Sequence, residues 1–158
     1  MRYTIAVDFD GVLHAYTSPW VNHHTIPDAP VEGALEFIWT MLDKFDVAIT
    51  STRNKTWLGR WAMRRWLSRE YMRLARNYST CPKWLADEIA KTAFADPWED
   101  EAWWCIKQRV ALIQFPKHKP AALIYLDDRA VRFEGPGTFP TADLVHKLRP
   151  WNKAPAAR

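Results

Sequence analysis

A chain of 158 residues that is 48% hydrophobic and 14% aromatic has the length of one domain and ample material for a core, which excludes an intrinsically disordered chain. The formal charge of +4 suits an anionic substrate or a nucleic-acid partner, although a modest excess of Lys and Arg is also an ordinary route to solubility. Cys81 and Cys105 are too far apart in sequence for a zinc or redox motif and read as free thiols.

No signal-peptide pattern follows Met1 and no apolar run approaches membrane-spanning length, so a soluble cytoplasmic protein with no membrane partner is expected. The ten tryptophans fall largely in amphipathic patterns and read mainly as core or half-buried surface.

Residues 3–7 are a short β-branched run ended by Asp8-Phe9-Asp10-Gly11, as where a buried parallel strand meets a functional loop. Residues 14–30 carry His14, Pro19, Trp20, His23, His24, Pro27 and Pro30, a composition that forbids a regular helix and marks an excursion loop. Helical spacing returns at 31–42, and 45–50 reads as a second buried strand. A long helix is expected over 55–76, with Trp57, Leu58, Trp61, Ala62, Trp66 and Leu67 on one side and Arg65, Arg69, Arg73 and Arg76 sharing another.

Pro82 can open a short helix within a second excursion at 77–98, and 99–113 reads as helix. A basic loop between Pro116 and Pro120 leads into a third buried strand at 121–126, which ends in Asp127-Asp128. A strand near 131–133, a Gly-Pro-Gly turn, a helix at 141–148 and a tail at 150–158 complete the chain. Strands alternating with helices imply one α/β domain at 1–149, with a mainly parallel sheet and helices on both faces.

In such a sheet ligands bind at the carboxyl ends of the strands. Alternation turns Asp8 and Asp10 to one side and Phe9 to the other, so two carboxylates from the first strand can face Asp127 and Asp128 from the third. Clustered anions ask for a cation, and an oxygen-only ligand set favours magnesium over zinc. A hard cation recruits phosphate, for which Ser51 offers a hydrogen bond and Lys117 or Lys119 a fixed positive charge.

Several alternatives fit less well. An EF-hand wants glycine at its sixth position and glutamate at its twelfth, whereas Gly11 comes fourth and Pro19 twelfth from Asp8. There is no Gly-x-x-x-x-Gly-Lys phosphate loop, and the His23-His24 pair lacks the further ligands of a zinc site. The Arg-rich stripe reads first as a solvated helix face and second as a nucleic-acid contact. Trp20 is placed either to stack on a base or sugar or to anchor its loop.

Asp8-Phe9-Asp10-Gly11-Val12, then Ser51, then Lys119, then Asp127-Asp128 resemble the four ordered motifs of the haloacid dehalogenase-like (HAD) hydrolase superfamily, over roughly residues 3–135. Lys119-Pro120 with Leu126-Asp127-Asp128-Arg129-Ala130-Val131 is similar to small capless bacterial and phage-type members. The resemblance implies a three-layer α/β/α Rossmannoid fold with no large cap domain. It further implies a magnesium-dependent phosphomonoester hydrolase working through an aspartyl-phosphate, acting on a phosphorylated small molecule, a nucleotide or a nucleic-acid phosphate end.

By the same resemblance Asp8 is the nucleophile, Asp10 the general acid and base, and Ser51 and Lys119 the phosphate ligands. Magnesium is then expected on the Asp8 carboxylate, the main-chain carbonyl of Asp10, Asp127, and Asp128 either directly or through water. Thr50 and Thr52 compete with Ser51, which the resemblance favours because it stands two positions before Arg53. A catalytically vestigial module that contacts nucleic acid through the Arg-rich helix is the alternative expectation.

Overall fold

The computed structural model describes residues 2–92, 98–130, 132, 135 and 140–147. The strand expected near Val131 and Phe133, most of the Gly-Pro-Gly turn and the tail at 150–158 lie outside them. Three short strands, β1 (Thr4–Asp8), β2 (Asp46–Thr50) and β3 (Ile124–Leu126), form a parallel sheet in the order β2-β1-β3. β1 is therefore central, pairing Thr4 to Asp8 with Asp46 to Thr50 on one side and Ile5 to Val7 with Ile124 to Leu126 on the other. Beyond β2, Gln114 exchanges hydrogen bonds with Val47 and Ile49 at 2.9 Å each and prolongs the ladder by one residue.

Helices α1 (Ala34–Lys44), α2 (Trp57–Ala75), α3 (Lys83–Thr92), α4 (Trp98–Ala111) and α5 (Ala142–Lys147) fill the remaining regular structure. Leu35, Ile38, Trp39 and Leu42 recur at helical spacing in α1 and are all buried. Arg2 closes the chain exit from α1 by donating to the carbonyls of Leu42 at 2.6 Å and Phe45 at 2.9 Å, satisfying acceptors that a helix end leaves open.

One buried cluster joins Ile5, Val7, Phe9, Val47 and Ile49 of the sheet to Met63, Trp66, Leu67 and Tyr71 of α2 and to Ile106 and Val110 of α4. Each such side chain contributes roughly 1.5–3 kcal/mol relative to exposure. Ala6 and Ala48, which alternate onto the opposite face, are also buried.

Two expectations about burial are corrected. Trp57 and Trp61 are 70% and 50% exposed, because the buried stripe of α2 runs through Gly59, Ala62, Met63, Trp66, Leu67 and Tyr71 and leaves those rings on the outer flank. The third strand is not buried, since Ile124, Tyr125 and Leu126 are all exposed and only β1 pairs with them among the described residues. The excursion at 14–30 holds no helix, as its prolines require, while 77–98 holds a 3-10 turn (Tyr78–Thr80) and α3, which packs on α4. No described helix is long and apolar enough to cross a membrane.

The entry into α2 is tightly built. Thr56 caps it by accepting from the Gly59 amide at 3.0 Å, and the first turn lies so close to the preceding 3-10 turn (Thr52–Lys55) that a Cβ on Gly59 would fall 2.2 Å from the Arg53 carbonyl oxygen. Backbone cannot yield as a flexible side chain can. We expect Gly59→Ala to destabilise the protein by about 1–3 kcal/mol, read as a lower urea midpoint with an unchanged slope; unchanged stability would contradict this packing.

Candidate active site

Because β1, β2 and β3 are parallel, their carboxyl ends meet on one rim. Asp8, Asp10, Ser51 and Asp127 line a single cleft of ≈ 290 Å³ together with Tyr16, Trp20, Thr52 and Arg129. The turn after β1 is fixed from beneath by Phe9, which alternates into the core, is fully buried, meets Trp66 edge-on at 5.2 Å and stacks on His14 at 5.6 Å. Gly11 then turns the chain with φ at +100°, and a Cβ there would lie 2.4 Å from Asp128 Oδ2. Glycine is thus required twice, by conformation and by contact.

The carboxylates of Asp8, Asp127 and Asp128 each bring an oxygen within 4.8 Å of the others. Burial, followed by repulsion from Asp127 and smaller contributions from Asp10 and Asp128, pushes the Asp8 carboxyl up to about 7 despite a hydrogen bond from the Phe9 amide. Asp128 is also raised, chiefly by burial. Its side chain is only 3% exposed, neither oxygen reaches a donor in good hydrogen-bond geometry among the described residues, its own amide being the nearest donor, and Arg129 Nε stands 3.7 Å away. Two buried carboxylate oxygens without a well-aligned donor are an unstable arrangement that a hard cation would satisfy. The donor set fits magnesium, with Asp8, Asp127 and Asp128 as the side-chain ligands.

Asp10 stands apart from that trio. Its carboxylate receives Arg53 Nε at 2.9 and 3.1 Å, Arg53 Nη2 at 3.0 Å, His14 Nδ1 at 3.0 Å and the Ser51 hydroxyl at 3.3 Å. Burial acts to raise its pKa, but the hydrogen bonds from His14 and Arg53 and the charge of Arg53 prevail and hold it below the usual carboxylate range. The metal role that the resemblance implies for Asp10 runs through its main-chain carbonyl, which leaves the side chain free for these contacts.

Arg53 and His14 are the residues that sequence reasoning underrated. Arg53 is 1% exposed; besides Asp10 it donates through Nη1 to the carbonyls of Asn22, His23 and Thr25 at 2.9–3.1 Å and lies 4.5 Å from the Trp20 ring centre. His14 is fully buried, accepts from the Asp28 amide on Nε2 at 3.1 Å, and so carries its ring proton on Nδ1, toward Asp10. The 14–30 loop is thereby closed over the acid pair, helped by Ser18 donating to Asp28 and by Trp66 Nε1 donating to the Asp28 carbonyl at 3.2 Å. Of the two readings of Trp20, the structure shows loop anchoring, against Arg53 and edge-on to His23. The signal for Arg53 was its place two residues after Ser51, which was used only to locate Ser51.

Ser51 lines both the acidic cleft and a neighbouring cleft of ≈ 970 Å³ that also contains Thr50, Lys117, Lys119, Tyr125 and Asp127. Thr50 turns its hydroxyl to the Val7 carbonyl at 3.4 Å, while Thr52 lines the acidic cleft alone. Lys119 Nζ rests 4.2 Å from the Tyr125 ring centre, and Tyr125 pairs with Ala6 on the sheet face toward which Asp8 alternates. Both lysines stay exposed, and both line that larger cleft beside the rim. Comparison of the chain with models of protein families, with curated proteins and with solved structures gave no match.

Breaking the Arg53–Asp10 pair leaves the partly buried Asp10 carboxylate with only His14 and Ser51 and removes the donor shared by three loop carbonyls, so Arg53→Ala is expected to lose about 3–5 kcal/mol and to expose the 14–30 loop to protease. Arg53→Lys should recover only a fraction, since an ammonium cannot supply the bidentate fork. The check is chemical denaturation beside limited proteolysis.

The raised Asp8 carboxyl has a definite sign. Folded Asp8 binds its proton up to about pH 7, so without a cation this group's contribution to stability is full below the ordinary carboxylate range and is lost as pH rises toward 7. Added magnesium should therefore raise the melting temperature clearly at pH 8 and little at pH 5. Asp8→Asn should raise the melting temperature of the metal-free protein at pH 8 and erase the magnesium response; a response equal at both pH values would refute the assignment.

Proposed function

We propose that this chain is a magnesium-dependent phosphomonoester hydrolase of HAD type, with the three-layer Rossmannoid arrangement and open, capless site that the motif order implies. The observation that carries this reading is the convergence of Asp8, Asp127 and Asp128, with the two Asp128 oxygens buried and unbonded, beside Ser51 and Lys119. Magnesium, held by those three carboxylates and the Asp10 carbonyl, would offset the charge of the phosphoryl oxygens and keep Asp8 ionised.

The chain's own groups divide the work. Asp8 attacks phosphorus through a carboxylate oxygen; the Asp8 O–P bond forms as the bond to the leaving oxygen breaks. Ser51 donates to a phosphoryl oxygen, for which its hydroxyl must leave Asp10 at 3.3 Å, and Lys119 supplies a fixed positive charge. Asp10 gives a proton to the leaving oxygen and takes one from the water that hydrolyses the acyl phosphate, so no net proton is lost from it over a cycle. Arg53 and His14 are positioning residues that aim the Asp10 carboxylate and favour its ionised form, which suits the second of those steps.

One observation favours a second reading. Asp10 is so fully engaged by Arg53, His14 and Ser51 that it also serves as a structural hub, as a catalytically vestigial binding or regulatory module would retain it. A phosphatase screen across nucleotides, sugar phosphates and 3′-phosphorylated oligonucleotides, with magnesium or EDTA, separates the two. Turnover that needs magnesium and falls by about 10³-fold or more in Asp8→Asn is expected; hydrolysis that survives that substitution unchanged would sink the mechanism, and no turnover of any phosphate would favour the module.

A further inference from the structure

The exposed tryptophans lie where the catalytic reading makes no use of them. Trp57 and Trp61 on α2 and Trp103 and Trp104 on α4 are 48–70% exposed, and burial of aromatic rings is so favourable that several solvent-facing indoles on adjoining helices mark a surface awaiting a partner. Between α2 and α4 runs a groove of ≈ 380 Å³ whose floor is Met72, Ile106 and Val110 and whose charged lining is Arg64, Arg65 and Lys107, with no carboxylate. None of the three cations is ion-paired among the described residues. Two of them already rest on the exposed rings: Arg65 lies 5.2 Å from the Trp61 ring centre and Lys107 Nζ 4.3 Å from that of Trp103.

The four arginines at 65, 69, 73 and 76 do not act as one basic stripe. Arg69 and Arg73 are both committed to the buried Glu70, at 2.9 and 3.1 Å, so the free positive charge has moved to the groove side of α2. A second copy of this chain is a poor occupant, because a two-fold contact would bring Arg64, Arg65 and Lys107 against their own equivalents. An acidic protein segment would satisfy the charge but leave the indole faces unused. Nucleic acid supplies phosphates and flat bases together, and an unpaired strand presents its bases for stacking where a duplex hides them.

We propose that the α2–α4 groove binds single-stranded nucleic acid, with Trp61 and Trp103 stacking on bases and Arg64, Arg65 and Lys107 contacting phosphates. Trp57, Trp61 and Arg65 follow one another at four-residue spacing, so they share a flank of α2 about 12 Å long at 1.5 Å per residue. That length accommodates two or three nucleotides, and it starts one 3-10 turn after Ser51. The proposal does not depend on Asp8 being catalytic.

Fluorescence anisotropy of the full chain with labelled oligo-dT and oligo-rU of about 20 nucleotides tests it, against a duplex of equal length and polyglutamate. Saturable binding of a single strand is expected, weakening roughly 20-fold between about 50 and 200 mM salt for three phosphate contacts. Trp103→Ala should weaken it ~5- to 100-fold and Trp103→Phe much less, while Arg65→Gln with Lys107→Gln should flatten the log–log salt slope by about 1.4. Asp8→Asn should bind as the parent does, and Trp103→Ala should keep any small-substrate hydrolysis, which separates this groove from the carboxylate site. Absence of single-strand binding at low salt, equal binding of duplex, equal competition by polyglutamate, affinity unmoved by Trp103→Ala, or self-association that Trp61→Ala abolishes would each overturn it.

Discussion

The buried pairing of Arg53 with Asp10 is the contact on which the rest of the site depends. Arg53 leaves the 3-10 turn after β2, Asp10 leaves β1, and the carbonyls of Asn22, His23 and Thr25 belong to the 14–30 loop, so one guanidinium fastens three separate segments. An ion pair at this depth loses hydration on both partners, and its attraction offsets that loss only when the remaining donors are satisfied. Here they are, by the loop carbonyls and the Trp20 face. The 14–30 segment, rich in proline and without regular structure, gains its shape from this contact, from His14 and from the Ser18–Asp28 link.

On the other side of Asp8 the electrostatics run the opposite way. Asp10 has more donors than one carboxylate needs, whereas Asp8, Asp127 and Asp128 have too few. Acidic groups two residues apart are thus driven in opposite directions, Asp10 favoured as the anion by Arg53 and the His14 hydrogen bond, and Asp8 pushed up to about 7 by burial and its acidic neighbours. In the metal-free protein this split is the reverse of what a nucleophile at Asp8 and a general acid at Asp10 need, so the proposed chemistry requires a cation to restore the charge of Asp8.

The parts of this design that were legible in the sequence are those governed by local pattern. Asp8 and Asp10 follow a β-branched run, Phe9 alternates inward, and Pro82, Pro116 and Pro120 punctuate the chain where elements begin or stop. The parallel sheet and the shared rim followed from strands alternating with helices. What stayed hidden required knowledge of which distant groups meet. A buried arginine looks in sequence like any other, and Arg53 sinks only because Asp10 and three main-chain carbonyls arrive from elsewhere.

His14 was grouped with His23 and His24 as a loop residue, yet the bridge from His14 to Pro30 draws it under the core. Trp57 and Trp61 go the other way: their four-residue spacing is real but lies one flank away from the buried stripe that holds Trp66. The apolar run of β3 predicts burial on both faces, a property of strands covered on both sides, whereas among the described residues β3 pairs along one edge only and is exposed.

That exposure has a mechanical meaning. Among the described residues β3 is joined to the sheet by three register pairs with β1, whereas the Arg53 fastening ties β1 to the turn after β2 on the other side. The rim therefore has one half tied to the core through Arg53 and another carried, among the described residues, by a short ladder. Any cation shared by Asp8 and the Asp127–Asp128 pair would span that seam and act as a clasp between β1 and β3.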